Sequence, residues 1–260
     1  MYPTVTTIYG EPGTIKTSLA LTWPKPIAFY DLEHGGRRAW GWQALLDSGE
    51  IHPRTFQVPT HSLTTRYEKL QGYVRVGGAF TQSMERDLRD FPTIVWDTGT
   101  IVWALDRDAM LEEIQRTSPT RKQLIQIEYG EPNRRMTELF NLAKSWQKNL
   151  VITHHESDEY VTLMDQLNRP ILDENSNPVS VTTGRKQPDG FRHTIGLSDW
   201  VIRTSFTKPK LGSSDPPIPQ AAIEKSAYGL LLRGKSIEWP TYGALEELTQ
   251  PSRKVTHATA

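Results

Sequence analysis

The chain has 260 residues, no cysteine, and 30 basic against 30 acidic side chains, a formal net charge of zero. That length suits one domain with a substantial core, and the balanced charge excludes a chain-wide pull toward nucleic acid or membrane. The missing cysteine excludes a disulfide framework, a thiol nucleophile and a cysteine-held metal. No run nears the roughly 20 apolar residues of a membrane span, and the first residues lack a basic-then-apolar leader, so a soluble cytoplasmic protein is expected.

Residues 5–9 are β-branched and aromatic and run into Gly10, the pattern of a buried strand breaking into a turn. A short helix is expected over residues 16–21, stopped before Pro24 and Pro26. Residues 27–31 form a second apolar run closed by Glu33, His34, Gly35 and Gly36, and strand, loop, helix, strand is the order of a parallel α/β sheet. A third strand is expected over 54–58, helices over 63–90 broken at Gly77 and Gly78, and a clear strand over 93–97. Helical spacing predicts helices over 101–114 and 133–149, the second leading into a strand at 150–153. Beyond His155 the texture changes to hairpin segments at 160–164 and 169–172 around a turn at 173–178. Strand patterns return at 200–204 and 221–225, separated by a loop over 208–217, and residues 251–260 read as a disordered tail. The expected organisation is therefore one domain over 1–250 followed by that tail, with no internal repeat.

The chemistry centres on residues 10–18: Gly10, Glu11, Pro12, Gly13, Thr14, Ile15, Lys16, Thr17 and Ser18. Glycines let backbone N–H groups converge on phosphate, a lysine reaches the terminal phosphates, and a hydroxyl meets magnesium. A nucleoside-triphosphate site with Mg2+ is expected here. Glycine is usual just before the lysine, and Ile15 departs from that pattern, so a distorted loop or weakened affinity is expected there. Chemistry in an open parallel sheet collects beyond the carboxyl ends of the strands, where Asp31, Glu33 and Asp97 fall. Asp97, through water, and Thr17 are the expected magnesium holders, a helix N-cap being the competing role for Asp97. Glu33 is expected to orient water, and Lys16 and His155 complete the catalytic set. Either His154 or His155, ending another strand, is expected to sense the γ-phosphate.

A basic cluster after His155 is either a solvated turn or a contact for a nucleic-acid strand. Arg185, Lys186 and Arg192 would meet phosphates while Phe191 stacks on a base. Arg121, Lys122, Arg134 and Arg135 form a looser second basic group, and arginines at a helix start favour an anion nearby.

In this order the motifs resemble those of RecA-like ATPases, especially the phage-encoded nucleotide-binding proteins that include small single-strand annealing recombinases. The likeness runs from about Val5 to Leu248. Tyr30-Asp31-Leu32-Glu33-His34 looks like the family's Asp-x-Glu-His element, which gives Glu33 the water-activating role. Thr93-Ile94-Val95-Trp96-Asp97-Thr98 is similar to its Walker B strand, and Val151-Ile152-Thr153-His154-His155 to its sensing strand. Residues 198–203 resemble a later core strand. Residues 224–229 resemble a Lys-Asn-Arg-Phe-Gly element used across subunits, but Ala227 stands in place of the arginine and only Lys225 carries over. The resemblance implies a RecA-like core with a mainly parallel sheet and a β-hairpin insertion, ATP and Mg2+, and homo-oligomers with nucleotide at subunit interfaces. It also implies action on single-stranded DNA in phage recombination or replication, in a host cytoplasm. A nucleotide switch with little hydrolysis and a small-molecule kinase remain alternatives.

Overall fold

The computed structural model describes residues 2–55, 79–174, 178–207 and 216–250. Its strands are β1 (Val5–Gly10), β2 (Ile27–Asp31), β3 (Ile51–Thr55), β4 (Thr93–Asp97), β5 (Asn149–His154), β6 (Glu156–Thr162), β7 (Ser180–Pro188), β8 (Trp200–Phe206), β9 (Pro219–Ser226) and β10 (Ser236–Glu238). Eight of them build one sheet in the order β10-β9-β8-β1-β5-β4-β2-β3. Every pair from β8 to β3 is parallel, and β9 and β10 close one edge as an antiparallel meander. β6 and β7 form a separate two-stranded ribbon that leaves the carboxyl end of β5.

Helices α1 (Lys16–Ala20), α2 (Trp42–Asp47), α3 (Ala79–Asp90), α4 (Gly99–Gln115), α5 (Gly130–Ser145), α6 (Thr194–Leu197) and α7 (Tyr242–Thr249) cover the two faces. Side chains alternate across a strand, so each central strand feeds both cores. Ile94, Trp96, Leu150 and Ile152 join Met84, Val102, Met136 and Phe140 on the face of α3, α4 and α5. Val95, Val151, Ile8 and Phe29 join Leu19, Trp42 and Leu245 on the face of α1, α2 and α7. Burial on both sides explains why these strands read as solid apolar runs without alternation.

Several boundaries differ from the sequence pattern. The third strand begins earlier, at Ile51, and residues 56–58 of its expected span lie outside the described residues, as do 63–78 of the expected helices. α4 starts at Gly99 because Thr98 accepts the Ile101 N–H at 3.3 Å, so Thr98 rather than Asp97 is the N-cap. α5 starts at Gly130, three residues early, with Pro132 in the first turn where no N–H is needed. The ribbon pairs Glu156–Thr162 with Ser180–Pro188, whereas the expected strands at 160–164 and 169–172 meet only in the isolated bridge Met164 to Pro170. β7 escaped notice because Thr182, Thr183 and Gly184 suggest a turn. The tail over 251–260, the loop residues 208–215 and the turn residues 175–177 lie outside the described residues. Among the described residues, no helix is long and apolar enough to cross a membrane.

Candidate nucleotide site

β1 ends at Gly10 against β8, where an added Cβ would lie 2.3 Å from the Thr204 carbonyl oxygen, so only glycine lets the loop leave the sheet here. Gly13 adopts a φ of 81°, the left-handed region that lets the loop turn back into α1. Ile15 sits at φ −77° and ψ 19°, which any residue adopts, with its side chain buried. The backbone at Ile15 is therefore not strained by its β-branched side chain, and that position is the N-cap of α1.

The Lys16 ammonium lies inside the loop and donates to the Gly10 and Glu11 carbonyls at 2.9 and 2.8 Å. Burial lowers its pKa, against the pull of Asp97, Glu33 and Glu156. Thr14 ties the loop to the sheet through the Glu11 carbonyl at 2.8 Å and the Thr204 hydroxyl at 2.9 Å. Ser18 accepts the Trp40 N–H at 3.1 Å.

Asp97 ends β4 on the α1 face, where the Thr17 hydroxyl lies 3.3 and 3.2 Å from its two carboxylate oxygens. Thr153, the last β5 residue on that face, donates its hydroxyl to the same carboxylate. Burial pushes the Asp97 carboxyl up to about 6, with the nearby Glu33 and Asp31 adding to the rise and the two threonine hydroxyls opposing it. A buried carboxylate held by hydroxyls, with other acids near, has the donor set of a hard divalent cation such as magnesium.

Glu33 stands just beyond β2, and its carboxylate meets His155 Nε2 at 2.6 Å. Asp31 does not join this group: its carboxylate caps the following turn, accepting the Gly35 and Gly36 N–H groups at 2.9 and 3.4 Å. The two histidines part as alternation requires. His154 turns to the other face, fully buried, with Nδ1 2.9 Å from the Asp189 carbonyl, and burial pushes its pKa down to about 4. His154 is therefore excluded as a phosphate sensor, and the sequence reading missed Thr153. Counting faces from the Asp97 to Thr153 neighbourhood would have found it, because Trp96 pairs with Ile152 in register.

Other expected residues sit elsewhere. Phe191 is 1% exposed and packs on Trp103 and Phe140, so it is a core residue and offers no stacking surface. Lys186 pairs with Asp158 at 2.9 Å, leaving Arg185 and Arg192 as the members of that cluster with no acid partner among the described residues. Lys225 folds back to cap the end of α6, donating to the Ile195, Gly196 and Ser198 carbonyls at 2.8, 3.1 and 2.6 Å, which occupies the expected subunit-bridging cation. In the second basic group Arg121 pairs with Glu128, Arg134 with Glu131 and Glu138, and Arg135 with Asp106 and Glu131. Internal acids thus pair with each of those three arginines.

A glycine-turned loop closing on a lysine and a hydroxyl, opposite a strand-end aspartate across one intervening strand, defines a P-loop ATPase of RecA-like fold. More particularly, the chain belongs to the AAA domain family, whose model matches residues 3–181 and so spans the loop, Glu33, Asp97 and Thr153. Among solved structures the chain is similar to a KaiC-like protein of the hyperthermophilic archaeon Pyrococcus horikoshii OT3, at 11% identity and a TM-score of 0.44 over 92% of this chain and 90% of that one. No curated protein matches it.

Proposed function

We propose that the protein binds ATP with magnesium and hydrolyses it, acting on single-stranded DNA in phage recombination or replication. The observation that carries the ATPase reading is the convergence of Thr17, the residue after the loop lysine, on both oxygens of the buried Asp97. Lys16 would exchange the Gly10 and Glu11 carbonyls for phosphate oxygens, and the loop amides would hold the β- and γ-phosphates. Thr17 and Asp97 would hold magnesium, which when bound neutralises charge on the phosphates. Glu33 lies outside the strand ladder where it can accept a proton from water, and His155 holds its carboxylate in position.

Trp40 adds a surface for the base. Its backbone N–H donates to Ser18 of α1, and its ring lies 5.6 Å from that of Trp239, with both residues more than half exposed. An exposed aromatic pair beside a phosphate loop suits a flat heterocycle. The DNA part of the reading draws support from the resemblance and from Arg185 and Arg192, whose guanidiniums face no acid among the described residues.

One observation favours a second reading, a nucleotide switch with little turnover: Lys225, the element's remaining cation, is engaged within its own chain. ATP turnover with and without a single-stranded oligonucleotide separates the two. Turnover lost in Glu33→Gln with ATP binding retained supports the ATPase, whereas binding without turnover in the unaltered protein supports the switch.

A further inference from the structure

The phosphate site is rich in acids and short of cations. Asp97, Glu33 and Glu156 all lie near enough to Lys16 to pull on its charge. A phosphoryl group in transfer gathers negative charge on its oxygens, and a guanidinium placed against them lowers the barrier beyond what the loop lysine and magnesium supply. The segment resembling a cross-subunit element has Ala227 in place of the arginine, and Lys225 is bonded to three carbonyls of its own chain. At the same end of the sheet, Arg203 lies 3.2 Å from Glu156 and Lys186 lies 2.9 Å from Asp158, so both are held by acids of their own chain.

The arch from Glu33 to Trp40 holds an unclaimed guanidinium. His34 adopts a left-handed φ of 55°, so the chain turns back directly after Glu33. One end of the arch is fastened to β2, where Asp31 accepts the Gly35 N–H at 2.9 Å. The other is fastened to α1, where Ser18, next to Thr17, accepts the Trp40 N–H at 3.1 Å. Between them the Arg38 N–H donates to the Gly35 carbonyl at 3.0 Å, and the side chain folds back over Gly35, where an added Cβ would lie 3.8 Å from Arg38 Nη2. That places the guanidinium two residues from Glu33, exposed and with no acid partner among the described residues. We propose that Arg38 is a catalytic residue acting within its own chain, its guanidinium meeting the γ-phosphate oxygens of ATP in the phosphate loop. The role rests on the ATPase reading. Glu33 takes the proton of a water whose oxygen bonds to the γ-phosphorus, the bond from that phosphorus to the β-phosphate oxygen breaks with its electron pair staying on ADP, and Arg38 balances the charge on the group in transfer. Such a site is complete in one chain and needs no cation from a neighbour.

The test is phosphate release by the full chain over a range of protein concentrations, beside calorimetry of ADP alone and of ADP with magnesium and aluminium fluoride, a mimic of the phosphoryl group in transfer. Arg38→Ala is expected to lower turnover at saturating ATP by roughly 10²–10³-fold. ADP affinity should stay within about twofold, which also shows that the variant folds, while the extra affinity for the fluoride mimic falls by roughly tenfold or more. Arg37→Ala removes the same charge from the neighbouring exposed position and should change turnover by less than about twofold, because a solvated charge is screened. Turnover per chain should not rise with protein concentration. Turnover and mimic affinity both kept in Arg38→Ala, an equal loss in Arg37→Ala, or turnover per chain that climbs with protein concentration would each overturn the proposal while leaving the ATPase reading in place. A parent protein that binds Mg·ATP and never releases phosphate would instead overturn the ATPase reading, and the role of Arg38 with it.

Discussion

Two buried carboxylates on opposite faces of the sheet are handled differently. Asp106, under α5, is pushed up to about 7 by burial against the pull of Arg135, whose guanidinium lies 3.0 Å away. Asp97, on the α1 face, is pushed up to about 6 by burial, yet hydroxyls are its direct partners and further acids stand near. A buried charge needs compensation, and one compensated within the chain belongs to the architecture. One held by hydroxyls beside the loop lysine, with further acids near, belongs to a ligand site.

The sharpest way to break the contrast is to neutralise each acid. Asp97→Asn and Lys16→Ala should each lower ATP turnover by roughly 10²–10³-fold, the scale of one lost electrostatic group at a reacting phosphate; steady-state phosphate release checks this. In denaturant unfolding without nucleotide, Asp106→Asn should cost about 1–3 kcal/mol, since Arg135 loses one of its two carboxylate partners and keeps Glu131 at 2.9 Å, while Asp97→Asn costs about 1 kcal/mol or less. Equal losses would erase the distinction.

His154 sharpens the comparison through pH. Its folded pKa of about 4 lies below the ordinary 6.5, so between these values the unfolded chain takes up a proton that the folded chain refuses. Stability should therefore fall as pH drops from 6.5 toward 4, by on the order of 3 kcal/mol from this residue, and that part of the slope should vanish in His154→Gln. Unfolding curves of the two proteins across this range measure it.

Smaller effects concern the nucleotide alone. Trp40→Ala should weaken ATP binding by about five- to tenfold with little change in turnover at saturation, if the ring carries the base. Ile15→Gly should leave ATP affinity within about twofold, because the native backbone there is already open to any residue. A large gain in affinity from that change would show that the isoleucine distorts the loop after all.

The sheet was largely legible. Runs such as Thr93-Ile94-Val95-Trp96 and Leu150-Val151-Ile152 are apolar on both faces, and only a strand buried on both sides needs that. Spacing within residues 10–17 was legible too, since phosphate demands glycine, lysine and hydroxyl in that order. Phe191 misled, because an aromatic residue among arginines looks the same in sequence whether it faces solvent or α5. Lys225 misled likewise: the three carbonyls it meets, in α6 and just past its end, leave no mark on its neighbours in the chain.

By itself, then, the amino-acid order determined a parallel α/β sheet, a phosphate loop after its first strand, and an acid at the end of the Asp97 strand. These follow from local rules of periodicity and turn chemistry that need no knowledge of distant residues. Only the tertiary structure decided which charges are already matched. Strand pairing turned Thr153 toward Asp97 and His154 away from it and brought His155 to Glu33, helix packing paired Arg135 with Asp106, and electrostatic balance depends on distances between residues far apart in the chain.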